Sequence, residues 1–145
     1  MKILLLNTRE GLKPMYDEDY DEKKKLKIGE TYEAEIRRPR NLRFHRKYFA
    51  LLRCAWEYLN ETQQRVFEND MDVFRKSLEV TAGWCEPIYN LNTQTFVHIP
   101  KSISFEKMSE SEFNILYNNV RDILFSVIIP NISQEEFNKN LKNFL

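Results

Sequence analysis

The residues whose types and spacing could do chemistry are crowded into one stretch, from Ile36 to Leu52. Between Arg37 and Lys47 it carries five arginines, one lysine and His45, and no carboxylate. Guanidiniums in this number offer paired, fork-shaped hydrogen bonds to phosphate oxygens, a geometry that lysine lacks. The whole chain is neutral, with 22 basic against 22 acidic side chains, so the remainder carries a net charge of minus six. A neutral chain that gathers its positive charge in one place incurs self-repulsion there unless an anion answers it, and a nucleic-acid backbone is the first such partner. The expected interface is Arg37, Arg38, Arg40, Arg43, His45, Arg46, Lys47 and Arg53. Phe49 is the aromatic placed to stack on an unpaired base, with Tyr89 and Phe96 as lesser candidates. The competing reading is that acidic groups elsewhere in the chain, or in a sister subunit, neutralise the cluster.

Catalysis finds little to work with. Only two histidines are present; His45 sits among cations that would lower its pKa, and His98 lies on one side of a short strand. Gly-x-Ser-x-Gly, a Gly-rich phosphate loop and His-Glu-x-x-His are all missing from the sequence. Asp17, Asp19 and Asp21 alternate as Mg²⁺ ligands could, but a lysine triplet follows them, and the glycine and terminal glutamate of an EF-hand are lacking. No enzyme activity, cofactor or metal is therefore expected. Cys54 and Cys85 have no ligand-like spacing and read as reduced apolar fillers.

The elements that must position the cluster follow from the apolar periods. At 145 residues, 42% hydrophobic, with three glycines and five prolines, the chain is expected to form one domain, 1–145. The Ile3 to Leu6 run predicts a strand buried on both faces, and Tyr32, Ala34 and Ile36 predict a second, half-buried one ending in the cluster. Between them, Asp17 to Glu22 and the following Lys23 to Lys25 read as a solvated loop over about 15–27, the lesser alternative being an acidic flap that competes with nucleic acid for the arginines. Pro39 forces a turn. From Phe44 the apolar stripe Phe44, Tyr48, Leu51, Leu52, Ala55, Trp56 and Leu59 predicts a long helix, with Arg43, Arg46, Lys47 and Arg53 on another sector.

A short helix over 62–67 and one capped by Asp70 follow, the latter burying Met71, Phe74 and Leu78 and ending at Gly83. Pro87 to Tyr89 and Thr95 to Ile99 predict a β-hairpin. Capping boxes at Ser109 and Ser133 announce two final helices. The first buries Phe113, Leu116, Tyr117, Val120, Ile123, Leu124 and Val127, and the second carries Phe137, Leu141 and Phe144. Lying beyond Pro130, the helix over 133–145 is expected either to cover its apolar stripe on a two-fold mate or to pack back on its own chain. The class is α+β: two N-terminal strands, a long helix with one or two shorter ones, a β-hairpin and two C-terminal helices. No apolar run approaches a membrane span or a secretory core, so a soluble, cytoplasmic protein is expected.

The run from Arg37 to Leu52, with Lys101 to Met108 and the helix from Glu110, resembles an uncharacterised family of phage and prophage proteins. More distantly it resembles the NinB or Orf recombination proteins of lambdoid phages. Arg46, Lys47 and Tyr48 match their Arg-Lys-aromatic helix entry, Ser102 and Ser104 their Ser-rich segment, and Glu112 with Phe113 their Glu-Phe helix. His45 departs from the amide found there, and neither the acidic insertion after Met15 nor the helix after Pro130 belongs to the pattern. The resemblance implies a homodimeric, non-enzymatic protein that binds DNA, single strands especially. It also implies help to a recombinase on strands coated by host single-strand-binding protein. The rival expectation is a phage factor that binds a host protein through the acidic stretch from Asp17.

Overall fold

The computed structural model describes residues 1–37, 42–104 and 107–145. Its architecture is α+β, with two antiparallel strand pairs and six α-helices among those residues. The chain divides into two compact units, Met1–Arg38 with Ser102–Ser109, and Pro39–Lys101 with Glu110–Leu145.

In the first unit β1 (Leu5–Thr8) pairs with β2 (Gly11–Pro14) from Leu5↔Pro14 to Thr8↔Gly11. The connection closes where the Thr8 hydroxyl donates to the Gly11 carbonyl at 2.7 Å, with Gly11 at φ +118°, a conformation that favours glycine. The strand expected to be buried on both faces is instead half of a two-stranded sheet. Only one face is partly covered, so Leu4 and Leu6 are half-buried while Leu5 stays 42% exposed.

The expected acidic loop is also corrected, because Asp17–Lys24 forms α1. Its order of charges explains this: Asp17, Glu18 and Asp19 occupy the first turn and Lys23 and Lys24 the last, which complements the helix dipole at both ends. Asp19 is buried, and its two carboxylate oxygens accept the backbone N–H groups of Leu4 at 2.9 Å and Tyr16 at 3.1 Å. One acid of the run is thus the tie between the strand and the helix start. The expected turn follows, with Gly29 at φ +85°. The expected strand over Tyr32 to Ile36 is not paired among the described residues, and every residue from Lys27 to Arg37 is exposed.

The second unit is built on α2 (Arg43–Glu57). Tyr48, Leu51, Leu52 and Ala55 are fully buried, as the three-and-four spacing predicts, while Phe44 and Trp56 are half-buried at the margins of the stripe. Asn60 and Gln63 cap α3 (Glu61–Val66) reciprocally, at 2.8 and 3.0 Å. Asp70 accepts the Asp72 N–H at the start of α4 (Met71–Thr81), which buries Phe74 and Leu78 and ends at Gly83, φ +91°. β3 (Cys85–Asn90) and β4 (Thr95–Pro100) make the expected hairpin, in register from Cys85↔Pro100 to Asn90↔Thr95.

α5 (Glu110–Ile123) buries Phe113, Leu116, Tyr117 and Val120. A π-helical turn over Leu124–Ile128 then inserts a residue into the period, with the Ile129 N–H bonded to the Leu124 carbonyl at 2.8 Å. That phase shift buries Ile129 and turns Val127, expected inside, out to solvent. Ser133 caps α6 (Gln134–Leu141) through the Glu136 N–H. This helix does not hold its apolar stripe free for a mate. Phe137 is fully buried, its ring centroid 5.7 Å from that of Tyr58 and 5.0 Å from that of Phe125, and Leu141 is buried too. The expected dimerisation helix packs back on its own unit because α2 leaves an aromatic surface at Tyr58 for it. No helix among the described residues is long and apolar enough to cross a membrane.

Leu52 is fully enclosed, so Leu52→Ala is expected to cost ~2–5 kcal/mol through lost transfer energy and the cavity left behind. A thermal or denaturant melt that does not move would show the helix to be oriented differently.

Candidate nucleic-acid interface

Among the six α-helices, α2 alone begins against its own dipole. α1, α3, α4, α5 and α6 each carry at least one acid in the first turn, whereas α2 carries none. Its N-cap position is Leu42, φ −79° and ψ 0°, with no capping side chain, and its first intrahelical bond runs from Arg46 N–H to the Leu42 carbonyl at 2.9 Å. Arg43, Arg46 and Lys47 stand exposed on this turn. Their spacing of three and four places them on one sector. Among the described residues no carboxylate pairs with any of the three. Lys47 lies along the Tyr117 ring, 5.5 Å from its centroid. Cations and the positive dipole end therefore share one small surface, where an anion would relieve both.

The other expected residues are dispersed. Arg37 belongs to the first unit and is exposed, its guanidinium 2.9 Å from the Glu35 carboxylate. Arg38 and Arg40 lie outside the described residues. His45 is a correction: it is 3% exposed, stacked face to face on Phe113 with centroids 3.9 Å apart and planes 5° from parallel. Burial, and not the neighbouring cations, pushes its pKa down to about 4. A neutral, enclosed imidazole contributes packing and no phosphate contact. Arg53 is also withdrawn, half-buried and donating to the Phe144 carbonyl at 3.3 Å, with burial lowering its pKa. Phe49 is half-buried, with the Arg75 guanidinium 5.9 Å from its ring centroid, so one of its faces is already occupied.

The family described as Protein of unknown function (DUF1367) matches the chain over residues 3–70 and 60–144. The chain belongs to this family. No curated protein and no solved structure matches it. The DUF1367 match spans both compact units and all six helices.

Beneath the candidate surface of this DUF1367 chain lies a polar tie that sequence reading missed. Arg75 and Glu79 are buried on α4, Arg75 Nη1 lying 2.6 and 3.2 Å from the two Glu79 oxygens. Burial works against the Arg75 charge, but Glu79, Tyr48 and Asp72 together outweigh it and raise the guanidinium's pKa. Tyr48, fully buried on α2, has its hydroxyl pKa driven well up by burial and by Glu79. An i, i+4 Arg–Glu pair is the commonest pattern of a solvated helix face, which is why it gave no signal. Its spacing from Met71, Phe74 and Leu78 was the available clue, since 71, 74, 75, 78 and 79 form one stripe. Among the described residues no group of three or more His, Cys, Asp or Glu is placed to hold a metal ion.

Two measurements follow from these buried groups. A histidine neutral in the fold down to about pH 4 but protonating near 6.5 when unfolded binds fewer protons folded than unfolded, so stability falls as pH drops through that window. The full loss is on the order of 3 kcal/mol. His45→Phe should shrink the difference in unfolding free energy between pH 7 and pH 5; an unchanged difference refutes the assignment. Glu79→Ala strands the buried Arg75 charge and is expected to destabilise by roughly 3–5 kcal/mol. Chemical denaturation reads this directly, and a loss under about 1 kcal/mol, the range of exposed pairs, would place the pair in solvent.

Proposed function

We propose that this protein is a non-enzymatic nucleic-acid-binding factor and that the first turns of α2 carry its phosphate contact through Arg43, Arg46 and Lys47. The supporting observation is the reversed electrostatics of α2: three exposed cations with no carboxylate partner among the described residues, at a helix start with no capping side chain. The resemblance to phage and prophage proteins, and more distantly to the NinB or Orf recombination proteins, supports a narrower role. In that role the protein is a single-stranded-DNA-binding accessory of phage recombination, working beside a recombinase or host single-strand-binding protein.

Each phosphate contact contributes roughly 0.7–0.9 to the slope of log affinity against log salt. Arg43→Ala with Arg46→Ala should therefore weaken binding to any sequence and flatten that slope by about one to two units. Gel shifts with matched single-stranded and duplex oligonucleotides over a salt series measure both effects. Full affinity and slope in a folded double variant would remove these residues from the site.

A second reading is favoured by a different observation. The β3–β4 hairpin exposes Ile88, Val97 and Ile99 on one face and Tyr89 and Phe96 on the other, with Leu91 at its tip 83% exposed. An apolar surface of this kind suits a host protein as partner, and such binding is insensitive to salt where phosphate binding is steeply dependent on it.

A further inference from the structure

A cavity of about 240 Å³ opens in the second unit where the end of α2 meets the chain beyond α6, lined by Cys54, Glu57, Tyr58, Asn140, Asn143 and Phe144. Cys54 is buried, Tyr58 and Phe144 are half-buried, and Glu57, Asn140 and Asn143 are exposed, so an apolar and aromatic interior leads out to a polar rim. The volume falls below the roughly 300–1,000 Å³ of sites for drug-sized molecules, so one small group fits it. Glu57 is the only charged side chain of the lining, and among the described residues its carboxylate has no ion-pair partner. It is the last residue of α2, whose final turn holds no base. A helix dipole is negative at this end, so the carboxylate is unfavourable there and a cation would relieve both. Arg53, one turn back, does not answer it: its guanidinium donates to the Phe144 carbonyl at 3.3 Å, and burial lowers its pKa with no carboxylate opposing. The exposed Lys139 and Lys142 adjoin the rim in sequence, and neither is ion-paired with Glu57.

The remaining groups decide which cation. A hard divalent ion takes about six or more oxygen ligands, and the lining offers one carboxylate, two amides and a phenol beside a thiol. An organic cation uses all of these groups. The carboxylate pairs with its N–H donors, and the rings attract the charge while covering an apolar stem. The Asn140 amide nitrogen donates to the Tyr58 hydroxyl, which leaves the amide oxygen to accept from a ligand. A phosphate is disfavoured by the Glu57 charge. We propose that this cavity binds the ammonium or guanidinium end of an alkyl arm, with Glu57 as counter-charge, Asn140 and Asn143 as acceptors, and Tyr58 and Phe144 about the stem. The site does not rest on the nucleic-acid reading: Glu57 stands about 21 Å along α2 from Arg43, at roughly 1.5 Å per residue.

NMR titration of the full chain with pentylamine, butylguanidine and the uncharged pentanol tests it. Both cations should shift the resonances of the six lining residues, with an affinity that falls as salt rises, and pentanol should bind about tenfold more weakly or less. Glu57→Gln keeps the shape and removes the charge, so it should weaken both cations by about tenfold or more. Its melting temperature should not fall, because an acid has left a helix C-terminus. Arg43→Ala with Arg46→Ala should leave cation binding unchanged, which separates this site from the phosphate contact. Two further probes identify the source of the arm: tighter binding of arginine or lysine within a glycine peptide assigns it to a protein partner, and tighter binding of the free amines to a small molecule. Either result upholds the site. Cations that leave the lining resonances unmoved overturn the proposal. So does pentanol binding as tightly as pentylamine, or a folded Glu57→Gln with full cation affinity.

Discussion

The burial of one face of α2 is the constraint on which the second unit depends. Tyr48, Leu51, Leu52 and Ala55 have no exposed surface, and full burial of each large aliphatic side chain is worth about 1.5–3 kcal/mol. A helix so held cannot rotate. Because 3.6 residues complete a turn, fixing positions 48, 51, 52 and 55 inward also fixes where 43, 46 and 47 emerge. The exposed cations are therefore an orientation imposed by the core, and their mutual repulsion is opposed by packing several residues further along.

The same rigidity explains the fate of the neighbours of those cations. His45 lies between Arg43 and Lys47 in sequence but on the inward side of the turn, where Phe113 of α5 stacks against it and Phe44 meets both Phe113 and Tyr117. Eight residues on from His45, Arg53 meets the C-terminal backbone at Phe144. Positive charge on α2 is thus divided by depth: the N-terminal cations face solvent, and the later arginine is used inside the fold.

The Arg75–Glu79 pair adds a different kind of constraint. Desolvating two charges offsets much of their attraction, so the pair is weak support for net stability. Both residues belong to α4, so the bond at 2.6 Å satisfies the buried charges within that one helix. Phe49 and Tyr48 of α2 both lie against this pair electrostatically or through the ring.

By itself the sequence determined what depends on local chemistry. Periods of three and four over Tyr48 to Ala55, the caps at Asp70 and Ser133, the stop at Gly83 and the short apolar runs flanking the polar Asn90 to Thr93 lead to helices and a hairpin. The excess of arginine from Arg37 to Lys47, and its lack of acids, is legible in the same way. Only tertiary structure decided which side chains of that stretch are inside. His45 and Arg53 are polar residues whose burial depends on Phe113 and Phe144, far away in the chain. It also decided that Asp19, one acid in a run of five, ties Leu4 to the start of α1. It placed α6 on α2 and, among the described residues, left 32–36 without a ladder. A period reports that a face should be covered, but the covering surface is a property of three dimensions, and a strand pattern cannot name its own partner.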